Sequence, residues 1–386
     1  MQVTSLSFIG DIYPGGDIAK KVVLDPDYAP LSSITQRFTD NTVIVANLES
    51  TIARTDTPVP KYATLLADPD IIQRFKEITV AVLGNNHVGD YGLQAMIDTR
   101  EHLENAGIRT VGLGVNLQEA LKPAIITRND LRIGIVSLSC ISTNGQNYAA
   151  TGRPGVAPLS TKLLRHTITS SRNECDVLIP YLHWGEERSH APVIDQIRLA
   201  RLAIDWGADA VIGSHAHVIQ AYEQYKGKWI FYGLGNFLFP DVSANQLNPD
   251  GTRESVNLNQ AEENRQSLVV NLRVSKERVQ LNKVLPVMYY SDELTPYPIT
   301  MDRLTFDLDD LNKKLRRFSR RAPKNICHDR EPVYRTSFFN NNLVHRYESP
   351  SFLHAHTGIM DRILRTMDTI RSFLLRNRKF RRNPCS

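Results

Sequence analysis

Short apolar runs alternate with amphipathic segments through the first 240 residues of the chain. The apolar runs are rich in Val and Ile and lie at residues 5–9, 42–46, 78–83, 109–113, 131–139, 176–182, 208–213 and 228–234. Because they are nearly continuous in apolar character, they are typical of strands buried on both faces. Segments 93–107 and 192–207 carry apolar residues at helical spacing and end in glycine. This alternation predicts an α/β fold.

The pattern changes after residue 240. Residues 241–264 are polar and without periodicity, which predicts a surface loop or lid. Residues 266–290 predict a β-hairpin with a Lys-Glu turn. Residues 304–321 open with acids and close with bases, as suits a helix dipole, and 359–375 carry an apolar stripe at helical spacing before a basic run.

The net charge of +5 hides an asymmetry between the two ends of the chain. Residues 301–386 hold 19 basic and 9 acidic residues, a net charge of +10, whereas the first 300 hold 27 and 32, a net charge of −5. A mildly acidic body with a basic tail argues against a uniformly basic nucleic-acid-binding surface, so no nucleic-acid partner is expected.

Cysteine spacing and hydropathy exclude several further classes. The four cysteines are far apart, which argues against a zinc ribbon or a disulfide framework. The N-terminal residues lack the basic and apolar regions of a signal peptide, and no apolar stretch reaches 18 residues. The sequence therefore predicts a soluble cytoplasmic protein.

Side chains of the metal-ligand type recur at the ends of the predicted strands. They are Asp11, Asn47, Glu49, Asn85, Asn86, His87, Asp90, His183, Glu186, Glu187, His215, His217 and Asn236. Because strand carboxyl ends meet at one edge of an open α/β sheet, these residues are expected to line one crevice. Imidazole and carboxylate donors suit Zn, Mn or Fe.

Each of these residues also has a structural explanation when it is taken singly. An isolated His-x-His is commonly incidental, and a polar residue after a strand commonly caps a turn. The simple explanations are a turn cap for Asp11, a solvated pair for Glu186 and Glu187, and a turn residue for Asn236. The repetition of one context at six strand ends favours a metal site over these separate explanations.

Six ordered segments resemble landmarks of a known family: FIGDI, ANLES, LGNNHVGDYG, PYLHWGEE, IGSHAHVIQ and FYGLGNFLF. The resemblance is to the poly-gamma-glutamate capsule biosynthesis protein CapA family, within the calcineurin-like metallophosphatase superfamily, and covers about residues 3–290. It implies a four-layer α/β/β/α sandwich over residues 1–295, followed by a basic, mainly helical extension over 296–386.

The resemblance also implies roles for single residues. It assigns one or two divalent metal ions (Mn, Zn, Fe, Mg or Ca) to a ligand set with Glu49 as the bridging carboxylate: Asp11, Glu49, Asn86, His183, His215 and His217. It implies that His87 is a general acid with Asp90 orienting its ring. Tyr13 stands where a phosphatase of the superfamily has the histidine of Asp-x-His, which leaves either a phenolic ligand or a weakened site.

Three functions fit this pattern. The first is a metal-dependent hydrolase of a phosphoester, or of an amide in a glutamyl-type polymer or peptide. The second is a metal-dependent peptide epimerase or isomerase that uses His87 with Glu186 or Glu187. The third is a non-catalytic polymer-handling subunit. For residues 359–382 two interpretations stay open, namely peripheral contact with an anionic membrane and a helix packed on the body.

Overall fold

The computed structural model describes residues 3–39, 41–143, 147–247 and 253–321. Its strands, in chain order, are β1 Thr4–Ile12, β2 Val43–Leu48, β3 Thr51–Ile52, β4 Leu66–Ala67, β5 Val80–Val82, β6 Arg109–Val111, β7 Leu113–Gly114, β8 Ala124–Arg128, β9 Leu131–Ser139, β10 Gly155–Val156, β11 Val177–His183, β12 Ala210–Ser214, β13 Tyr222–Tyr225, β14 Lys228–Phe231, β15 Asn236–Leu238, β16 Val242–Leu247, β17 Arg253–Leu258, β18 Gln266–Val274, β19 Val279–Met288 and β20 Tyr297–Pro298. Its α-helices are α1 Asp17–Leu24, α2 Ser32–Thr35, α3 Gly92–Asn105, α4 Leu117–Ala120, α5 Thr161–Ser171, α6 Ile194–Asp205 and α7 Leu308–Arg321.

Two large sheets form the body. The first has the strand order β20-β19-β18-β1-β2-β5-β6, and the short β15 pairs with the far end of β1. The second has the order β13-β14-β12-β11-β9-β8. In each sheet the central strands β1-β2-β5-β6 or β9-β11-β12-β14 are parallel, so their carboxyl ends lie at the same edge.

The two sheets pack face to face over an apolar core. Phe8 and Val45 of the first sheet belong to one buried cluster with Ile135, Ile179 and Phe231 of the second. Strands covered on both faces need apolar side chains in both directions, which explains their nearly continuous apolar runs.

Helices cover the outer face of each sheet. Ile18, Ile34 and Met96, from α1, α2 and α3, pack against the first sheet. Leu164 of α5 and Ala200 of α6 pack against the second. The layers therefore follow the order α/β/β/α, and the predicted fold class is confirmed.

The ends of the helices agree with simple capping rules. The side chain of Ser160 accepts a hydrogen bond from the backbone N–H of Leu163 and caps α5. Gly107 and Gly207 follow α3 and α6 with φ angles of 83° and 114°. Glycine is favoured in this left-handed conformation because it has no Cβ, so both predicted glycine stops are confirmed.

Most predicted strands are present, but the prediction of a loop over 241–264 is wrong. Strands β16 and β17 pair antiparallel there, with Val242 opposite Leu258, and form a two-stranded hairpin that we call the arm. At the base of the arm Val242 joins a buried cluster and Leu258 packs against it. The rest of the two strands is mostly polar in sequence, without the sustained apolar alternation that marks a strand. The predicted 266–290 hairpin is confirmed as β18 and β19.

The segment after β20 packs on the body. Ile299, Leu304 and Leu308 enter the core between the sheets, and Leu315 of α7 enters the outer core of the second sheet. The predicted helix over 359–375 and the basic run after it lie outside the described residues. None of the helices in the described part of the chain combines the length and apolar character that crossing a bilayer requires.

Candidate metal centre

The predicted ligands converge at the edge where the parallel strands of both sheets end. Asp11 lies in β1 beside Asn47 of β2, and Glu49 follows β2 directly. From the second sheet, His183 is the last residue of β11 and is paired with Ser214 of β12. The remaining predicted ligands come from the turns after β5 and β12: Asn86, His215 and His217.

Two buried carboxylates form the floor of the site. Asp11 and Glu49 are both fully buried, and the side-chain amide of Asn47 donates to both, at 2.9 Å to Asp11 Oδ1 and 3.0 Å to Glu49 Oε2. Burial raises the pKa of Asp11. Burial and the neighbouring Asp11 hold the pKa of Glu49 well above its usual range. Two adjacent carboxyl groups in this position require positive charge in order to ionise together.

The rings of His183 and His217 are each held through Nδ1. His183 Nδ1 lies 2.9 Å from Ser214 Oγ, and His217 Nδ1 lies 2.9 Å from Asn236 Oδ1. The opposite nitrogens, Nε2, lie 3.6 Å and 3.8 Å from Glu49 Oε1. His183 Nε2 is also 2.7 Å from the side-chain oxygen of Asn86. A hydrogen bond on one ring nitrogen is the usual way in which a protein orients the other toward a metal.

The His-x-His segment is a strained turn. His215 and His217 have φ angles of 91° and 56°, a left-handed backbone conformation that residues other than glycine rarely adopt. The backbone N–H of His215 donates to Asp11 Oδ2 at 3.2 Å. Close packing precedes the turn, because a Cβ on Gly213 would lie 1.9 Å from the carbonyl oxygen of Tyr232. Strain of this kind is typical of functional sites, where the surrounding structure holds it in place.

The ligand atoms fall into two groups that share Glu49. Asp11, Glu49 and His183 form one group, Glu49, His215 and His217 form the other, and within each group the ligand atoms lie within 4.8 Å of one another. Glu49 Oε1 and His215 Nδ1 are buried and receive no hydrogen bond from the described residues. Burial lowers the pKa of His215 to about 3, so its ring is neutral and available as a donor to a cation. Carboxylate, amide and neutral imidazole donors in this arrangement fit divalent cations.

A second cluster lies beside these groups. His87 Nδ1 is 2.6 Å from Asp90 Oδ2, and Lys61 donates to Asp90 Oδ1 at 2.8 Å and to the carbonyl of Asn86 at 2.9 Å. Burial raises the pKa of Asp90, but the neighbouring His87 and Lys61 outweigh it and the net shift is downward. Burial and Lys61 lower the pKa of His87, so its ring is neutral near pH 7. Because the Asp90 carboxylate can only accept, His87 carries its proton on Nδ1.

The two glutamates after His183 are exposed at the rim of the site. Desolvation by the surrounding protein atoms acts to raise the pKa of the Glu187 carboxyl even though the residue reaches solvent, but the nearby His215 and His217 outweigh this effect and the net shift is downward. Glu187 is thus close to the histidines, whereas among the described residues Glu186 makes no side-chain hydrogen bond or ion pair.

Tyr13 does not point into the ligand groups. Its hydroxyl donates to the carbonyl of Leu66 at 3.3 Å, and its ring packs against Phe239. Burial raises the pKa of Tyr13 to about 12, so the phenol keeps its proton. Of the two outcomes expected for this position, the geometry favours the loss of one metal ligand over a phenolic replacement.

Residues that support the site were partly missed by sequence reasoning. Lys61 lies in an irregular segment, and nothing in the pattern distinguishes it from a surface lysine. Asn236, interpreted as a turn residue, begins β15 and contacts His217. Its position at the start of a strand opposite Asp11 is a long-range feature that one sequence does not disclose.

The fold and the donor set define an α/β sandwich protein with a candidate metal centre at the edge of its paired sheets. The chain belongs to the bacterial capsule synthesis protein PGA_cap family, whose model matches residues 5–241.

Two relatives and a solved structure illustrate what the chain is similar to. It is 29% identical to the PGA biosynthesis protein CapA of Bacillus subtilis over 78% of its own length and 75% of that protein. It is 28% identical to the capsule biosynthesis protein CapA of Bacillus anthracis, over 61% of the chain and 59% of that protein. The crystal structure of a phosphatase from Mycoplasma pneumoniae is similar over 81% of this chain and 99% of its own, with a TM-score of 0.47 and 17% identity.

Proposed function

We propose that the protein is a metal-dependent hydrolase that acts in the synthesis or processing of a poly-gamma-glutamate-like polymer or peptide. The observation that carries this proposal is the position of Glu49, whose buried carboxylate belongs to both groups of ligand atoms. A carboxylate shared in this way is suited to bridging two cations. The residues that would hold the cations are Asp11, Glu49, Asn86, His183, His215 and His217.

Divalent cations in this site would supply Lewis-acid chemistry at a scissile carbonyl or phosphoryl group. The chain itself supplies the proton transfer. With Nδ1–H donated to Asp90, the His87 ring exchanges a proton through Nε2. A neutral ring accepts a proton before it donates one to a leaving group, and an anionic substrate favours the protonated form.

Family membership supports the choice of substrate class. The Bacillus subtilis relative is named for the biosynthesis of PGA, and the match extends over 75% of that protein. A polyanionic glutamyl chain would also place negative charge beside His87, which favours the protonated ring that donates to a leaving group. Glu187 at the rim is the further acid/base group that the proposal assigns to the site.

The first test is metal content. We expect the purified wild type to retain bound divalent metal, measured by elemental analysis, and the double variant His215→Ala/His217→Ala to lose it. His166→Ala, an exposed histidine on α5, is the matched control and should bind like the wild type. A wild type without stoichiometric metal would sink the proposal and favour a non-catalytic polymer-handling subunit.

The second test is the reaction. Incubation with poly-gamma-glutamate should release new amino groups and shorten the polymer, and both signals should disappear in His87→Gln. Release of phosphate from an aryl phosphate instead would move the substrate class to phosphoesters. Deuterium uptake from heavy water into a glutamyl peptide without cleavage would replace the hydrolase with an epimerase.

A further inference from the structure

His217 is held by residues that lie beyond the part of the chain matched by the family model, which ends at residue 241. The chain returns from the arm through residues 259–265, which we call the return turn. Two of its side chains, Gln260 and Asn264, are linked to His217, one through the ring and one through the backbone.

The link to the ring passes through Asn236. The amide nitrogen of Asn236 donates to Gln260 Oε1 at 3.3 Å, and its carbonyl oxygen lies 2.9 Å from His217 Nδ1. Because the Gln260 oxygen can only accept, it turns the Asn236 amide so that the carbonyl faces the ring. His217 is then protonated on Nδ1, and Nε2, the nitrogen beside Glu49, keeps its lone pair for a cation.

The link to the backbone is direct. Asn264, only 2% exposed, donates from Nδ2 to the carbonyl oxygen of His217 at 2.9 Å. His217 has a φ angle of 56°, and a left-handed backbone outside glycine persists only where neighbouring groups hold it. Asn264 is one of these groups. The base of the arm is itself closed, since the backbone N–H of Gln260 donates to Asp241 Oδ1 at 2.7 Å.

We propose that Gln260 and Asn264 are positioning residues of the metal centre, which fix the ring and the backbone of His217 in the geometry that binds a cation. The inference rests on the metal site of the proposed function but not on its hydrolytic chemistry. In this arrangement the return turn supports the metal centre through His217. The hydrogen bond from Gln260 to Asp241 then links the base of the arm to the same ligand.

The test is titration calorimetry of EDTA-stripped protein with Mn²⁺. Loss of an outer-shell partner typically weakens metal binding by about 10–100-fold, and we expect losses of this size for Asn264→Ala and Gln260→Ala. Gln260→Glu keeps an oxygen that accepts from Asn236 and should restore affinity to the wild-type level or above.

Asn271→Ala is the matched control. Asn271 is a buried asparagine of β18 that bonds Ser5 and Ser7 and contacts none of the predicted ligands, so its removal should leave Mn²⁺ affinity unchanged. Equal weakening in Asn271→Ala and Asn264→Ala would mean general destabilisation and overturn the inference.

The remaining outcomes separate the inference from the proposed function. Wild-type affinity in both Asn264→Ala and Gln260→Ala would overturn the inference alone. If Asn264→Ala does not fold, the Mn²⁺ affinities of Gln260→Ala and Gln260→Glu, which alter a half-buried side chain, test the inference. A wild type that binds no Mn²⁺ or Zn²⁺ would overturn the proposed function together with the inference.

Discussion

At the scale of the residue, Glu49 is the clearest mark of a cation site. Its ordinary pKa is 4.5, and burial and the neighbouring Asp11 hold it well above that value. The folded chain then binds this proton more tightly than the unfolded chain. Without a cation, the stability that Glu49 contributes is present below pH 4.5 and is lost as the pH rises through its raised pKa.

Glu49→Gln should therefore stabilise the metal-free protein while it weakens metal binding. At pH 7 in EDTA we expect the free energy of unfolding, from urea denaturation, to rise by roughly 1–3 kcal/mol, because glutamine replaces a carboxyl group that is costly to bury whether it ionises or takes up a proton. Glu223→Gln is the opposite control, since this buried glutamate is paired with Arg201 and its loss should destabilise. A Glu49→Gln variant less stable than the wild type in EDTA would contradict this account.

Tyr13→Phe tests whether the phenol is a ligand. Since its hydroxyl bonds the carbonyl of Leu66, removal should cost about 1 kcal/mol of stability and leave Mn²⁺ affinity unchanged. Calorimetric titration with Mn²⁺ compares the affinity of Tyr13→Phe with that of the wild type. A marked loss of affinity in Tyr13→Phe would show that the hydroxyl reaches the metal.

At the scale of the element, strands were predictable where both faces are buried. The runs that became β1, β2, β9 and β11 are almost wholly buried, and their ends placed Asp11, Glu49 and His183 at one edge. The arm was missed because its sequence is mostly polar and lacks a sustained apolar alternation. Lys61 was missed because its contacts with Asn86 and Asp90 depend on how an irregular segment folds back over the turn after β5.

That irregular segment gives a prediction of its own. Lys61→Met removes the cation from a pair in which the side chains are only 11% and 1% exposed, leaving the Asp90 carboxylate buried. We expect a loss of about 3–5 kcal/mol in the free energy of unfolding, as for other broken buried pairs. Lys226→Met, which breaks an exposed pair with Asp205, should cost far less, because solvent screens that pair. Similar losses of unfolding free energy in both variants would contradict the expectation that the buried pair of Lys61 and Asp90 contributes more to stability.

At the scale of the whole molecule, the charge split and the packing do not share a boundary. The net charge turns positive after residue 300, but Ile299, Leu304, Leu308 and Leu315 are buried against the body. The predicted domain boundary at 295/296 stays a prediction, and this packing argues for a later one.

Membrane contact by residues 359–382 also stays a prediction. Its test compares how the full chain and a chain ending at residue 357 bind anionic vesicles, and equal binding would remove it.

Truncation tests the boundary. A chain ending at residue 321 should fold like the full protein. A chain ending at 295 exposes the surface that four buried aliphatic side chains cover, each worth roughly 1.5–3 kcal/mol, which in sum approaches the whole stability of a typical domain. Circular dichroism and soluble yield distinguish the two. A stable chain ending at residue 295 would support the predicted boundary at 295/296.

The dispersal of the ligands along the chain has a consequence for the timing of assembly. They extend from Asp11 to His217 and come from strands of both sheets. A ribosome must therefore release more than half of the chain before the site can close, because a half-made protein still lacks His215 and His217. Metal capture would then follow the folding of both sheets, and a bound metal would stabilise the whole sandwich against unfolding.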